Sequence, residues 1–375
     1  MAGIYIHIPF CKSACHYCNF HFSTQTKYID DFTNALLHEI PLQKDYLQAP
    51  IETLYFGGGT PSLLTGKTIE KIVATIQANF TFAPSFEFTI EANPDDITLE
   101  KAKAWKAIGI NRLSIGIQSF QAHSLAWMNR AHTVAQSHEA LSNAQRAGFE
   151  NISTDLIYGT PHLSDADLMD DIKWLKHYGI PHISCYALTV EEKTALHYLI
   201  AKQQMEGVNA AHQARHFEII VNELTKSNFE HYEISNFAQP GLRSQHNSNY
   251  WKGIPYLGLG PSAHSFNKVS RQWNVSNNHL YMQSIALGTL PIEIEKLDLA
   301  TQFNEYLMIS LRLSEGFSLQ YIKTQFGESY VQHTIAIAKQ FINTKQLQST
   351  TTGYSLSPSA RFFADGIASD FFIVN

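Results

Sequence analysis

Gly3-Ile-Tyr5-Ile-His7-Ile8-Pro-Phe-Cys11-Lys-Ser-Ala-Cys15-His-Tyr17-Cys18-Asn-Phe20 opens with an alternating apolar run and then presents three cysteines within eight residues. The run reads as a first strand, and the loop directly after it carries three thiols that can converge on one soft metal centre. Three thiolates on a 4Fe-4S cube leave one iron without a protein ligand. That open position suits the amine and carboxylate of a small molecule. The alternative is a zinc site completed by His7, His16 or His21. Four cysteines in 375 residues are too few for a disulfide framework, so they read as ligands in a reducing compartment. Cys185, alone near a later strand, reads as a small buried apolar side chain.

Outward from this stretch, short runs rich in Ile, Tyr, Phe, Leu and Ser alternate with longer segments of helical apolar spacing as far as about residue 190. Strands are expected at Gly3–Ile8, Glu52–Phe56, Phe86–Glu91, Arg112–Ile117, Asn151–Ile157 and His182–Ala187. Helices are expected at Tyr28–Leu42, Lys67–Asn79, Leu99–Ile108, Val134–Ala147 and Asp165–Tyr178. The rhythm is that of an α/β protein with parallel strands, and periodicity alone allows either an open sheet or a barrel. Glu91, Gln118, Asp155 and Ala187 fall at or just beyond the carboxyl ends of four strands, where parallel α/β folds assemble their sites. The second strand runs into Gly57-Gly58-Gly59-Thr60-Pro61, which taken alone reads as a tight strand-to-helix turn.

Three regions are expected: a core over 1–190, an irregular accessory segment over 191–290, and a small helical, winged-helix-like domain over 291–375. A net charge of -6 with well-mixed signs gives no footprint for a phosphate backbone, so nucleic acid is not an expected partner. The start of the chain has neither a basic leader nor a long apolar stretch, which leads to the expectation of a cytoplasmic protein.

The C-x3-C-x2-C spacing behind a first strand, with the glycine run after the second, resembles the radical S-adenosylmethionine (SAM) superfamily. That resemblance implies a partial (β/α)6 TIM-like barrel, a 4Fe-4S cluster on Cys11, Cys15 and Cys18, and bound SAM. By similarity to the haem-biosynthesis branch, Tyr5, Gly58, Thr60, Glu91, Gln118, Arg130 and Asp155 occupy SAM-binding positions. Tyr17, Gly57, Gly59 and Ala187 complete the cofactor-binding set, and no catalytic residue is assigned. Within the branch, the chain resembles the oxygen-independent coproporphyrinogen III dehydrogenase group, and most of all its haem-chaperone members. Phe20 stands where the dehydrogenase pattern has a further cysteine, and little chain precedes Cys11.

His246-Asn-Ser-Asn-Tyr250-Trp251 is similar to the chaperones' H-N-x-x-Y-W motif, which makes His246 the candidate haem-iron ligand and His264 a second. The function implied is a haem chaperone that delivers haem to respiratory haem proteins and takes electrons from a reductant. The same resemblance leaves room for a peripheral membrane contact and for a homodimer. The other implied activity is that of a radical SAM oxidoreductase acting on a porphyrinogen, and the third alternative is a zinc-stabilised binding module.

Overall fold

The computed structural model describes residues 1–374. Strands β1 (Ala2–Ile8), β2 (Ile51–Gly58), β3 (Phe82–Ala92), β4 (Arg112–Gln118), β5 (Asn151–Tyr158) and β6 (His182–Ala187) lie side by side in chain order. Every neighbouring pair among them is parallel. Each run expected from sequence lies inside its strand. The crossovers are α1 (Ile29–Leu42), α2 (Gly66–Asn79), α3 (Leu99–Ile108), the pair α4 (Ala122–Trp127) and α5 (Val134–Arg146), and α6 (Asp165–His177). Their starts are written locally: Thr65 and Thr98 accept backbone N–H bonds as N-caps, while Thr133 with Gln136 and Ser164 with Asp167 form capping boxes.

Period-two alternation sorts the strand side chains by face. One set, including Ile4, Ile6, Ile8, Leu54, Phe56, Phe88, Ile90, Leu113 and Ile115, is buried in the core that also contains Ile40, Ile72 and Trp105 from the helices. The alternate set is polar: Tyr5, Thr53, Tyr55, Glu87, Glu91, Arg112, Ser114, Ser153, Asp155, His182 and Ser184. The interior of the curled sheet is therefore a lined chamber rather than a packed apolar core.

Residues 191–290 add strands to both edges of the same sheet. After α7 (Ala195–Ala201) and α8 (Ala210–Lys226), β7 (Glu230–His231) and β8 (Asn236–Ala238) extend the sheet antiparallel beyond β6. Then α9 (Gln245–Trp251) leads to β9 (Tyr256–Leu259), which returns to the opposite edge and pairs parallel with β1. β10 (His264–Phe266), β11 (Ser270–Asn274), α10 (Asn278–Ala286) and β12 (Ile292–Lys296) follow, and their strands continue that edge antiparallel. The result is one open twelve-stranded sheet, and Phe217, Leu224, Phe237, Leu257 and Tyr281 belong to the same core as β1–β6. Packing therefore does not divide at residue 190. The buried Glu39 of α1 fastens this edge by accepting bonds from Gly260 N (2.8 Å), Asn274 Nδ2 (2.6 Å) and Tyr281 OH (2.6 Å).

A separate core around Phe303, Leu307, Ile322, Phe341 and Phe371 marks the C-terminal unit. It runs α11 (Leu299–Arg312), β13 (Phe317–Ser318), α12 (Leu319–Phe326), α13 (Glu328–Asn343), β14 (Leu347–Ser349), β15 (Gly353–Leu356) and α14 (Ala364–Asp370), with sheet order β13-β15-β14. A helix, strand, helix, helix and closing hairpin in that order is a winged-helix arrangement, as expected. No helix among the described residues is long and apolar enough to cross a membrane.

At the amino ends of the strands, α9 plugs the chamber. His246 accepts or donates at both ring nitrogens, to Thr53 Oγ1 (2.8 Å) and Tyr250 OH (2.8 Å), and stacks on Tyr55 with ring centroids 4.9 Å apart. Glu87 accepts the His246 backbone N–H at 3.0 Å and stands 4.0 Å from the buried Arg112. Replacing His246 with alanine leaves two buried hydroxyls short of a partner and opens a void, at a cost of about 2–4 kcal/mol. Urea unfolding followed by circular dichroism should show the midpoint falling accordingly.

Candidate functional site

A cavity of about 710 Å³ opens at the carboxyl ends of β1–β6. Cys11, Cys15, Cys18 and Tyr17 line it from the loop after β1, and Gly58, Gly59 and Thr60 from the end of β2. Glu91, Gln118, Asp155 and Ala187 enter from the ends of the next four strands, Tyr5 from β1, and Arg130 from the turn after α4. Thirteen of the sequence-derived candidates thus share one wall-to-wall space. Gly57, His246 and His264 do not line it.

Backbone contacts hold the cysteine loop. Cys11 N donates to Ser23 O (3.0 Å) and Ser23 N to Pro9 O (2.9 Å), closing the loop at its base. Farther out, His16 N donates to Met128 O (3.2 Å), Asn129 Nδ2 to Ala14 O (2.7 Å) and Leu196 N to His16 O (2.7 Å). The glycine turn passes directly beneath. A Cβ on Gly59 would lie 2.7 Å from Phe10 O and 2.9 Å from Ile8 O, both backbone atoms that cannot swing aside. Gly58 has φ +107° and a Cβ there would meet the His7 ring at 2.6 Å. Gly57 lies behind the wall, against Tyr5, Tyr55 and Glu91.

The sulfurs sit in a ring of donors. Thr60 Oγ1 donates to Cys11 Sγ (3.4 Å), and Arg130 Nη1 donates to Cys15 Sγ (3.3 Å). Arg130 Nη2 also donates to Asn93 Oδ1 (2.9 Å) and Gly116 O (3.0 Å), and Asn93 Nδ2 reaches back to Thr60 Oγ1 (3.4 Å). Burial works against the Arg130 charge, but Tyr17 and Cys15 beside it hold the guanidinium protonated, with its pKa raised. Burial pushes the Cys11 thiol up and the Cys18 thiol up to about 11. A metal centre is what would draw these thiols into the thiolate form.

Two carboxyls occupy the floor. Glu91 accepts from Tyr55 OH (2.8 Å) and Gly58 N (3.2 Å), yet burial pushes its pKa up to about 7. Burial likewise pushes Asp155 up to about 6, against a hydrogen bond from Ser184 and the pull of Arg112 and Arg130. Gln118 adopts φ +68°, in the left-handed region that a non-glycine residue avoids, and its buried Oε1 has no partner in the protein. A cation beside two carboxyls, with a donor on Gln118, would satisfy this floor, and that donor set fits the sulfonium, amino and hydroxyl groups of SAM.

The histidines of the zinc alternative are engaged elsewhere. His7 Nε2 meets His21 O (2.9 Å), His16 Nδ1 meets Trp127 O (3.0 Å) and His21 Nε2 meets Asn278 Oδ1 (2.7 Å). Among the described residues, the one group of three metal-ligating atoms within 4.8 Å of one another is Asp165, His212 and His216, away from the cysteines. There, His216 Nδ1 accepts the Gly159 N–H (3.2 Å), so Nε2 carries the ring proton rather than a free lone pair. A zinc ion about 2.3 Å from each sulfur holds thiolates no more than about 4.6 Å apart. Among the described residues the three cysteine sulfurs do not form such a tight group.

The candidate haem ligands lie outside the cavity. His246 is 2% exposed, both its ring nitrogens are taken, and burial lowers its pKa to about 3. It stays neutral, with its one ring lone pair engaged in a hydrogen bond to Thr53 or Tyr250. His264 is exposed and stacks on Trp273 at 5.8 Å, outside the cavity. Asn93 and Tyr55 were missed from the sequence. Asn93 lies one residue past β3, two after Glu91, and that proximity was the available signal; Tyr55 was legible only as an inward position of β2.

Residues 5–175 match the Radical SAM superfamily. The chain is 35% identical over 323 residues to the heme chaperone HemW of Mycobacterium tuberculosis, covering 84% of this chain and 83% of that one. It is 35% identical over 336 residues to the heme chaperone HemW of Bacillus subtilis, covering 88% and 87%. The structure of coproporphyrinogen III oxidase (HemN) from Escherichia coli superposes with a TM-score of 0.86 at 20% identity, over 99% of this chain and 90% of that one, a likeness of fold. With a glycine-lined cysteine loop at the mouth of a parallel sheet and relatives this similar over most of their length, the chain belongs to the radical SAM superfamily, in the HemN-like group that includes the HemW proteins.

Proposed function

We propose that this protein is a haem-binding chaperone that carries a 4Fe-4S cluster on Cys11, Cys15 and Cys18, binds SAM beside it, and hands haem to respiratory haem proteins. The observation that carries this is the single cavity in which three thiols, two protonatable carboxyls and an unpartnered amide meet, beneath a wall supplied by the C-terminal unit. When bound, the cluster and SAM supply one-electron reduction of a sulfonium. The chain's own part is to hold and shield. Thr60 and Arg130 donate to two of the sulfurs, which stabilises charge on them. Glu91 and Asp155 take the cationic end of SAM, and Gly58 and Gly59 let backbone amides approach it. Free thiols of this kind belong in a reducing compartment, which we take to be the cytoplasm.

Phe20, 66% exposed at the cavity rim, stands where the porphyrinogen dehydrogenases are expected to carry a further cysteine, and so favours the chaperone over porphyrinogen oxidation. His246 would reach haem iron only if α9 left the sheet and gave up its bonds to Thr53 and Tyr250. Among the described residues no histidine lines the cavity.

Anaerobic reconstitution with iron and sulfide should give a brown protein with a reduced EPR signal that changes on adding SAM. Cys15→Ala should lose iron, sulfide and colour together, and zinc bound without sulfide by the unaltered protein would overturn the proposal. Addition of haem to the reconstituted protein should perturb the haem spectrum, and no vinyl product should form from coproporphyrinogen III.

SAM affinity should depend on pH. Below about 6 both carboxyls are protonated and offer no charge; as pH rises through about 6 and then about 7, Asp155 and Glu91 ionise in turn and affinity climbs, levelling above. Titration by equilibrium dialysis between pH 5.5 and 8.5 should show this rise, and Glu91→Gln should abolish its upper part.

A further inference from the structure

The far wall of the cavity comes from the C-terminal unit. Arg312 projects from the end of α11, and Arg361, Phe362 and Asp365 come from the turn at Pro358–Phe363 and the start of α14. The two guanidiniums differ in their company. Arg312 donates to Asp365 Oδ1 at 2.7 Å and lies 5.3 Å over the Trp251 ring, so its charge is answered and its position held. Arg361 donates to the His231 carbonyl and, among the described residues, to no carboxylate; Glu315 and Glu233 act on it only at a distance.

A guanidinium presents five N–H donors, and a partly buried one without a counter-ion carries a desolvation cost that an anion would relieve. Beside Arg361 the wall is apolar and aromatic. Phe362 and Phe217 pack with ring centroids 5.5 Å apart, and Ile234, Tyr158 and Leu188 continue the surface toward the sheet. An apolar aromatic wall, its two rings tilted 51° to each other, and a fork of donors at its edge are thus side by side.

We propose that Arg361 grips a carboxylate at the edge of a conjugated ligand that packs against the aromatic wall of Phe217 and Phe362. Resting on the haem assignment above, this makes Arg361 the residue that recognises a propionate of the tetrapyrrole. The planar fork of arginine can meet both carboxylate oxygens, which the ammonium of lysine does less well. Arg312, already paired, borders the ligand without supplying its counter-charge. This also gives the H-N-x-x-Y-W segment a part in the site without iron ligation: Trp251 holds Arg312, and with it one side of the wall.

The test uses the reconstituted full chain, titrated separately with haem, haem dimethyl ester and SAM. Esterification should weaken binding to the unaltered protein about tenfold or more, the range for a hydrogen bond to a charged group. Arg361→Gln should weaken haem by the same factor, leave the ester unchanged and leave SAM unchanged, with Arg361→Lys between. Haem binding indifferent to both esterification and Arg361→Gln would overturn the assignment of Arg361 while leaving the chaperone proposal intact. Loss of SAM rather than haem would assign Arg361 to the methionine carboxylate and overturn it too. No haem binding by the unaltered protein would remove both proposals. Should Arg361→Gln fail to fold by circular dichroism, the ester comparison and Arg361→Lys still decide.

Discussion

Right-handed crossovers between sequence-adjacent parallel strands can place helices on only one face of a sheet, and most of this structure follows from that constraint. Ile4, Ile6, Leu54, Phe88, Ile90 and Leu113 face the helices and are removed from water. The opposite face must curl on itself or be covered by something else, and here it is polar from end to end. A polar interior cannot collapse into a dry core, because each buried group needs a partner. The chain therefore builds a chamber, plugs its lower end with α9 and leaves its upper end for ligands.

The two ends solve the same problem differently. At the bottom, His246 binds Tyr250 within α9 and Thr53 of β2, and His182 binds Ser153 Oγ (2.7 Å) and Tyr232 OH (2.8 Å), so that buried polar side chains find partners both locally and across elements far apart in sequence. At the mouth, Gln118 holds a strained φ with a free buried oxygen, and Glu91 and Asp155 are kept near neutrality by burial. Strain and unmet polar groups concentrated at one end mark where the fold has left interactions for a ligand to complete. The network from Arg130 through Asn93 and Thr60 to the sulfurs ties α4, β3, β2 and the cysteine loop into one support.

The C-terminal unit shows how a common arrangement can be turned to another use. Its winged-helix order is a frequent scaffold for nucleic acid, yet its second long helix, Glu328–Asn343, carries Lys339 as its one Lys or Arg, and no basic face forms. What the unit presents to the cavity is Arg312, Arg361, Phe362, Ala364 and Asp365. It acts as a wall for the chamber.

The six parallel strands and their crossover helices were legible in the sequence because their signals are local: apolar spacing, N-caps such as Thr98 and Ser164, and turns set by glycine. The cysteine loop was legible for the same reason, since its ligands lie within eight residues, and the polar ends of successive strands pointed to a common mouth. The return of β9 to pair with β1 was not, because a four-residue strand has no periodicity to read and its partner lies over two hundred and fifty residues away. Nor could sequence place His246. A histidine two residues into a helix looks the same whether it faces a ligand or a neighbouring strand, and only the packing of α9 on β1 and β2 turned it inward, onto Thr53 and Tyr55. Arg361 likewise became part of the site only when the C-terminal unit closed over the sheet, since its role depends on which carboxylates lie near it in space, and chain order does not encode that distance.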